Sequence, residues 1–305
     1  MSNTTGITPT LLEKGLNEVF YQNYSKLSIG EITSADLFKF STFDSGISAT
    51  DLALAGVGKF QILSEDANIR RDVVRERGST LYEADIYDNG FDISYKMLLA
   101  DATGRNVIPQ AAELGLAGKA TQELNRFSVL RNAAVTLGLD GVALIGTHTL
   151  ATGGTFSNDV ATALSYATIK AMILKLQTQL NFQGLPMGED PKFLVVPPAL
   201  FAQAIEITQA VNIPGSGNND SSYISQIFPG LRVGWCPYIS AAQGGSDTKF
   251  YMFGDSRKLK VFIREAMNTW MNPWQTQNNI VTRYNAKYAE VAGFSDWYGV
   301  VRGGN

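Results

Sequence analysis

Ten consecutive residues, Pro191-Lys192-Phe193-Leu194-Val195-Val196-Pro197-Pro198-Ala199-Leu200, constrain the fold more than any other stretch of this chain. Phe193 to Val196 has no polar face and reads as a short strand buried on both sides. Pro197 and Pro198 cannot donate to a ladder, so they stop the strand. From Ala199 to Ile205 the apolar spacing becomes helical, which makes the run a strand-to-helix joint.

With 305 residues, 45% of them hydrophobic and 17% charged, the chain has the size to bury a real core, as one large domain or two joined ones. No stretch reaches the roughly 18 to 20 uninterrupted apolar residues that a membrane span needs. Met1 to Ser25 lacks the basic start and apolar centre of a secretion signal, so the chain is expected to stay in a cytoplasm. The single cysteine, Cys236, excludes an internal disulfide and is expected to pack as a small apolar side chain. A net charge of −3 gives no footprint of a dedicated nucleic-acid binder. Charge is unevenly spread: residues 61–100 hold thirteen charged side chains and residues 201–250 hold five, which marks the first region as solvated or facing a partner.

Residues 1 to about 50 read as an extended arm, with a short helix over Pro9 to Gln22 in which Leu12, Leu16 and Phe20 recur every four residues. From Gly58 to Met97 two strand-like runs flank a charged tip at 70–79, a pattern that predicts a long hairpin with its return limb at Tyr82 to Tyr95. A two-stranded ribbon is marginal in water, so a hairpin this long implies a partner surface. Asn106 to Gly138 is the strongest helical pattern, with Gly115 and Gly118 calling for close packing in its first half. A second helix is predicted from Asp159 to Phe182, then the strand at 193–196, a helix to Val211, and strands at Leu231–Trp235, Phe250–Asp255, Leu259–Arg264 and 282–288. The alternation of helices with buried strands after Gly141 has the character of an α/β layer.

The sequence carries little that reads as chemistry. His148 is the one histidine, and with Cys236 alone no Cys/His set can build a zinc site. No G-x-S-x-G elbow is present, and His148 reads as a packed loop residue. Gly115 to Ala120 falls short of a P-loop and lies inside a helical pattern, and Gly56-Val57-Gly58 lacks the third glycine of a dinucleotide fingerprint. Asp88, Asp92 and Glu83 read as a solvated face. Trp270, Trp274, Trp297 and Tyr298 read as core or interface, with a ligand platform the less favoured reading. Arg70, Arg71, Asp72, Arg75, Glu76 and Arg77 carry mixed charge at the tip, a pattern that favours ion pairing between subunits over phosphate contact. No catalytic, cofactor-binding or metal-ligating set is assigned.

Asp140 to His148 and Pro191 to Leu200 resemble segments of the Mu-like major head subunit group of tailed bacteriophages, whose members have the Hong Kong 97 fold. The arm, charged ribbon and long helix resemble that family in their order. The resemblance implies an α+β fold with an N-terminal arm at 1–57, an extended hairpin loop at 58–97, and an α/β apical domain at 159–259. The peripheral domain would comprise 98–158 and 260–305, with a spine helix at 106–138. It further implies a structural, non-enzymatic protein that assembles into the hexamers and pentamers of an icosahedral head around double-stranded DNA, touching that DNA weakly and non-specifically. The implied partners are further copies of the chain, a separate scaffolding protein, a portal and a decoration protein, with no cofactor and no membrane. The implied location is the virion, after assembly in the host cytoplasm. An encapsulin-type shell protein and a soluble α/β enzyme with an unpaired carboxylate site stand as alternatives.

Overall fold

The computed structural model describes residues 9–43, 46–60, 62–63, 71, 75–94, 96, 107–212, 221–272 and 281–305. It opens with helices α1 (Pro9–Lys26) and α2 (Ser34–Leu37), then strands β1 (Lys39–Thr42), β2 (Ser48–Ala55), β3 (Arg75–Glu83) and β4 (Asp85–Ser94). The long helix α3 (Val107–Arg131) leads to β5 (Thr147–Thr149), β6 (Thr155–Ser157), β7 (Asp159–Val160) and α4 (Tyr166–Gln177). Next come β8 (Phe193–Val196), α5 (Phe201–Gln209), α6 (Tyr223–Ile227), β9 (Arg232–Trp235) and β10 (Phe250–Phe253). Two long strands, β11 (Leu259–Asn272) and β12 (Val281–Phe294), precede the short β13 (Val300–Gly303).

The opening decapeptide sits inside a five-stranded sheet of order β7-β13-β10-β8-β9. Strand alternation sends Leu194 and Val196 to one face, where they meet Ile169, Met172 and Ile173 of α4 and Ala204 and Ile207 of α5. Val195 points the other way, into a core with Phe127 and Leu130 of α3 and Trp297. Both faces are covered, so the strand needs no polar side. Helix α4 is shorter than the 159–182 pattern predicts. Ser165 caps it by accepting a hydrogen bond from the Thr168 amide at 3.2 Å, and the preceding Asp159–Val160 pairs in parallel with β13. That pairing carries Val300–Gly303 into this sheet, although 260–305 was expected to lie wholly in the peripheral part.

A second sheet, of order β1-β11-β12-β4, carries α3 and α1. Leu16 and Phe20 of α1 pack with Ala111 and Leu114 of α3 and with Tyr284 of β12, so the predicted arm helix forms on its own subunit. Gly115 permits this approach: a Cβ there would stand 2.5 Å from the Phe20 carbonyl oxygen. Helix α3 ends at Arg131, short of the predicted Gly138. Gly138 instead donates to the Val142 carbonyl at 2.8 Å in a tight reversal that places Gly141 at φ 73°, and a Cβ on Gly138 would strike the Phe294 ring. The spine is about 38 Å long at 1.5 Å per residue.

The hairpin differs from its prediction. Its outgoing limb is β2, which pairs antiparallel with β3, while β4 leaves the ribbon to pair with β12 along its whole length. Tyr87 stacks on Tyr288 at 4.9 Å, and Ile93 is buried in the α1–α3 core. The limb predicted at Tyr82 to Tyr95 is thus mainly body sheet, and the alternation of Ser48–Ala55 is the limb that was not read from sequence.

Candidate functional site

The ribbon has two unlike faces. On the outer one, Leu52, Leu54 and Leu81 are 57%, 62% and 65% exposed, and beyond β2 Phe60 and Ile62 are fully exposed. An apolar face of this kind on a folded subunit marks a binding surface. The inner face is fastened to the body. Asp51 accepts hydrogen bonds from Lys260 and Ser295, and Tyr82 shares a 3.2 Å bond with Ser295 while its ring lies 4.8 Å from Phe262. Burial pushes the Tyr82 hydroxyl up to about 12, so it stays a neutral partner. Burial also pushes Asp51 upward, but the Lys260 and Ser295 bonds outweigh it and hold the carboxyl below its ordinary range. Further out, Gln183 donates to the Gly56 carbonyl at 2.8 Å.

The second fastening is Arg77. Its Nη1 donates to Asp296 at 2.5 Å and to the Tyr298 hydroxyl at 3.1 Å, and its guanidinium lies 4.4 Å from the centre of the Phe182 ring. Nη2 stands 3.9 Å from Asp140 Oδ2, and that oxygen is 2.7 Å from His148 Nδ1. His148 is 1% exposed and stacks on Trp297 at 4.5 Å, with Phe156 on Trp297 at 5.3 Å. Burial drives Asp296 above its ordinary range despite the neighbouring Arg77. Asp140 moves the other way: burial opposes its charge, but hydrogen bonds from His148 and the Val142 amide and the field of Arg77 prevail. One cation therefore bridges two carboxylates from separate parts of the chain.

The candidate residues from sequence separate accordingly. Arg71 and Glu76 are exposed, and Arg75 belongs to β3. Arg70 and Asp72 lie outside the described residues. Arg77 corrects the expectation: its side chain is 4% exposed, and its ion pairs are made within its own subunit. His148 is the packed residue that was expected, on β5. Trp297 is core and Trp270 lies on β11 beside the Lys287 ammonium, while Trp274 is outside the described residues. Asp51 and Asp296 had no role in the sequence reading and Asp140 entered only as part of the 140–148 segment, since nothing in their spacing shows which cation each meets.

A second charged cluster joins α2 to the spine. Arg126 is bidentate to Glu290 of β12 at 3.0 and 2.7 Å, and Glu123 accepts from the Ser34 amide and hydroxyl at 3.0 and 2.8 Å. Glu123 and Arg126 stand in the buried stripe of α3 beside Phe127 and Leu130. A groove of about 270 Å³ between α3 and β4 is lined by Tyr87, Asp88, Leu114, Gly118, Met267 and Tyr288. Among the described residues no group of His, Cys, Asp or Glu could hold a metal ion, and no helix is long and apolar enough to cross a membrane.

One sheet lies along the spine helix, the other packs against the C-terminal part of that helix, and the ribbon is fastened where the two meet. Residues 76–303 match the family model described as phage capsid protein, and the chain belongs to that family. It is a structural protein of the phage head, not an enzyme. No curated protein sequence matches it. Among solved structures it is similar to the capsid of cyanophage P-SCSP1u, with TM-score 0.58, 12% identity, and coverage of 91% of this chain and 89% of that one. A virus-like particle from Pyrococcus furiosus gives 0.56 and 12%, over 95% and 98% of the two chains. The mature capsid of bacteriophage PhiM1 gives 0.56 and 10%, over 88% and 84%. These likenesses show the Hong Kong 97-type fold, the α+β fold expected from the sequence resemblance.

Proposed function

We propose that copies of this chain assemble into the closed icosahedral head of a tailed phage, as hexamers and pentamers around double-stranded DNA. The observation that carries this reading is the outer face of the ribbon, where Leu52, Leu54 and Leu81 share one exposed surface. Burying apolar surface is worth about 25 cal/mol per Å², so covering this face by a neighbouring subunit supplies a strong drive to associate. A two-stranded ribbon gains its stability from such a partner. Arg71, Arg75 and Glu76, together with Arg70 and Asp72, are assigned to ion pairs with that neighbour. Arg77 is withdrawn from the set because its partners are internal.

A scaffolding protein, a portal and a decoration protein are the further partners this role calls for, with assembly in the host cytoplasm. Contact with DNA is weak and non-specific, in keeping with a net charge of −3. Membership of the Mu-like group rests on 140–148 and 191–200, the stretches of sequence likeness. Sedimentation and negative-stain microscopy of the chain, co-expressed with its neighbouring genes, test the reading. Closed shells are the expected result, and a stable monomer at high concentration contradicts it.

A further inference from the structure

In the ribbon, pairing runs unbroken from Ser48 opposite Glu83 to Ala53 opposite Gly78, then skips to Leu54 opposite Glu76. Arg77 is the extra residue of a β-bulge. A bulge bends its strand, tightens the local twist and re-aims a side chain against the alternation. Beyond the bulge the alternation sets Ser79, Leu81 and Glu83 outward and Thr80 and Tyr82 inward, with Gly78 also inward. Continued without a bulge, it would turn Arg77 to solvent and point Glu76 at Asp296 and Asp140. The bulge reverses this, putting Arg77 between the two acids and Glu76 in solvent. Gly78 beside it lies so close to the Leu139 carbonyl oxygen that a Cβ would approach within 2.8 Å.

We propose that the Arg77 bulge is the positioning element that sets the direction in which the ribbon leaves the subunit, and so decides which shell geometry the subunits close into. This rests on the assembly reading above. A ribbon held at one point pivots; held at two it has a direction. The first hold is Asp51, opposite Thr80, and the second is Arg77 three residues on, about 10 Å along the strand. The second hold gathers the loop after α3 through Asp140, the segment after α4 through Phe182, and the link from β12 to β13 through Asp296 and Tyr298. It therefore ties the ribbon to the junction of both sheets.

Stability alone does not account for this arginine. Its Nε and Nη2 have no hydrogen-bond partner, nor have His148 Nε2 and Trp297 Nε1 in the same cluster. Buried polar atoms left unpaired destabilise a fold, and buried ion pairs are commonly replaceable by apolar side chains without loss of stability. What an apolar replacement cannot supply is the directed two-acid hold.

The test compares the wild-type chain with Arg77→Lys and with Arg77→Met combined with Asp296→Asn, a pair that leaves no unpaired charge at Asp296. Each is assembled with the same co-expressed genes, and particle diameters are measured by electron microscopy beside thermal melts followed by circular dichroism. The double variant is expected to melt cooperatively as a folded subunit but to lose the single-diameter class, giving mixed diameters and open sheets. Arg77→Lys, which keeps the charge, is expected to restore part of that class. Shells of wild-type diameter from the double variant overturn the proposal. Failure of the wild type to form shells overturns the assembly reading instead. Hydrogen exchange of the unmodified, unassembled subunit gives a readout that needs no variant. Slow exchange of the Arg75–Thr80 amides is expected, and exchange as fast as a free ribbon's overturns the latch.

Discussion

Single residues set tolerances that can be measured on the isolated subunit. Gly115→Ala gains about 1 kcal/mol of helix propensity. It also drives a Cβ to 2.5 Å from a backbone oxygen of α1, an overpacking that costs about 1–3 kcal/mol. A lower melting temperature for the variant is expected, and a higher one would mean that α1 does not lie on α3. Asp140 gives a pH signature. Its carboxyl is held below the ordinary range, so its contribution to stability is complete above about pH 4 and is lost as pH falls through the lowered value. Asp296 is displaced upward, so its contribution is present at acid pH and fades as pH rises through its raised value. In melts taken from pH 6 to pH 3, wild type should lose stability more steeply below about pH 4 than Asp140→Asn, with urea midpoints as the check.

At the level of elements, the strand at 193–196 was legible because both of its faces are apolar and two prolines end it. Packed against α4 and α5, Leu194 is fully buried, so Leu194→Ala should cost about 2–5 kcal/mol in chemical unfolding. The spine was legible from its apolar stripe, but its end was not, because Gly138 resembles a helix stop while serving a turn against Phe294. The ribbon was the least legible element. Ser48–Ala55 alternates only weakly, with alanines on its inner side, and the aromatic, acidic run at 85–94 looks like a return limb until its pairing with β12 is seen. Arg77 was found as a charged residue but placed on the wrong surface, since a one-residue bulge in register leaves no local mark. Replacing residues 58–73 with a short Asn-Gly turn should therefore leave a folded subunit, because the holds at Asp51 and Arg77 remain, but one that does not close into shells. A subunit that unfolds on this change would show that the segment belongs to the core.

On the scale of the whole molecule, the described residues form a body of two sheets around α3 and a ribbon whose apolar outer face that body leaves exposed. The body is joined by the α3 spine and by the charged clusters around Arg126 and Arg77, while in the proposed assembly the ribbon offers its apolar side to a neighbour. The family model runs from Glu76 in β3 to Gly303 at the end of β13, so α1, α2, β1 and β2 lie before its match. Cysteine chemistry tests the central claim most directly. Cys236 is buried, and burial pushes its thiol up to about 12, so it stays silent to maleimide. Ser79→Cys places one small reactive group on the outer face of the ribbon, opposite Leu52. Rapid labelling of unassembled subunits and strong protection after assembly are the predicted results; equal labelling in both states would contradict the claim that a neighbouring subunit covers this face.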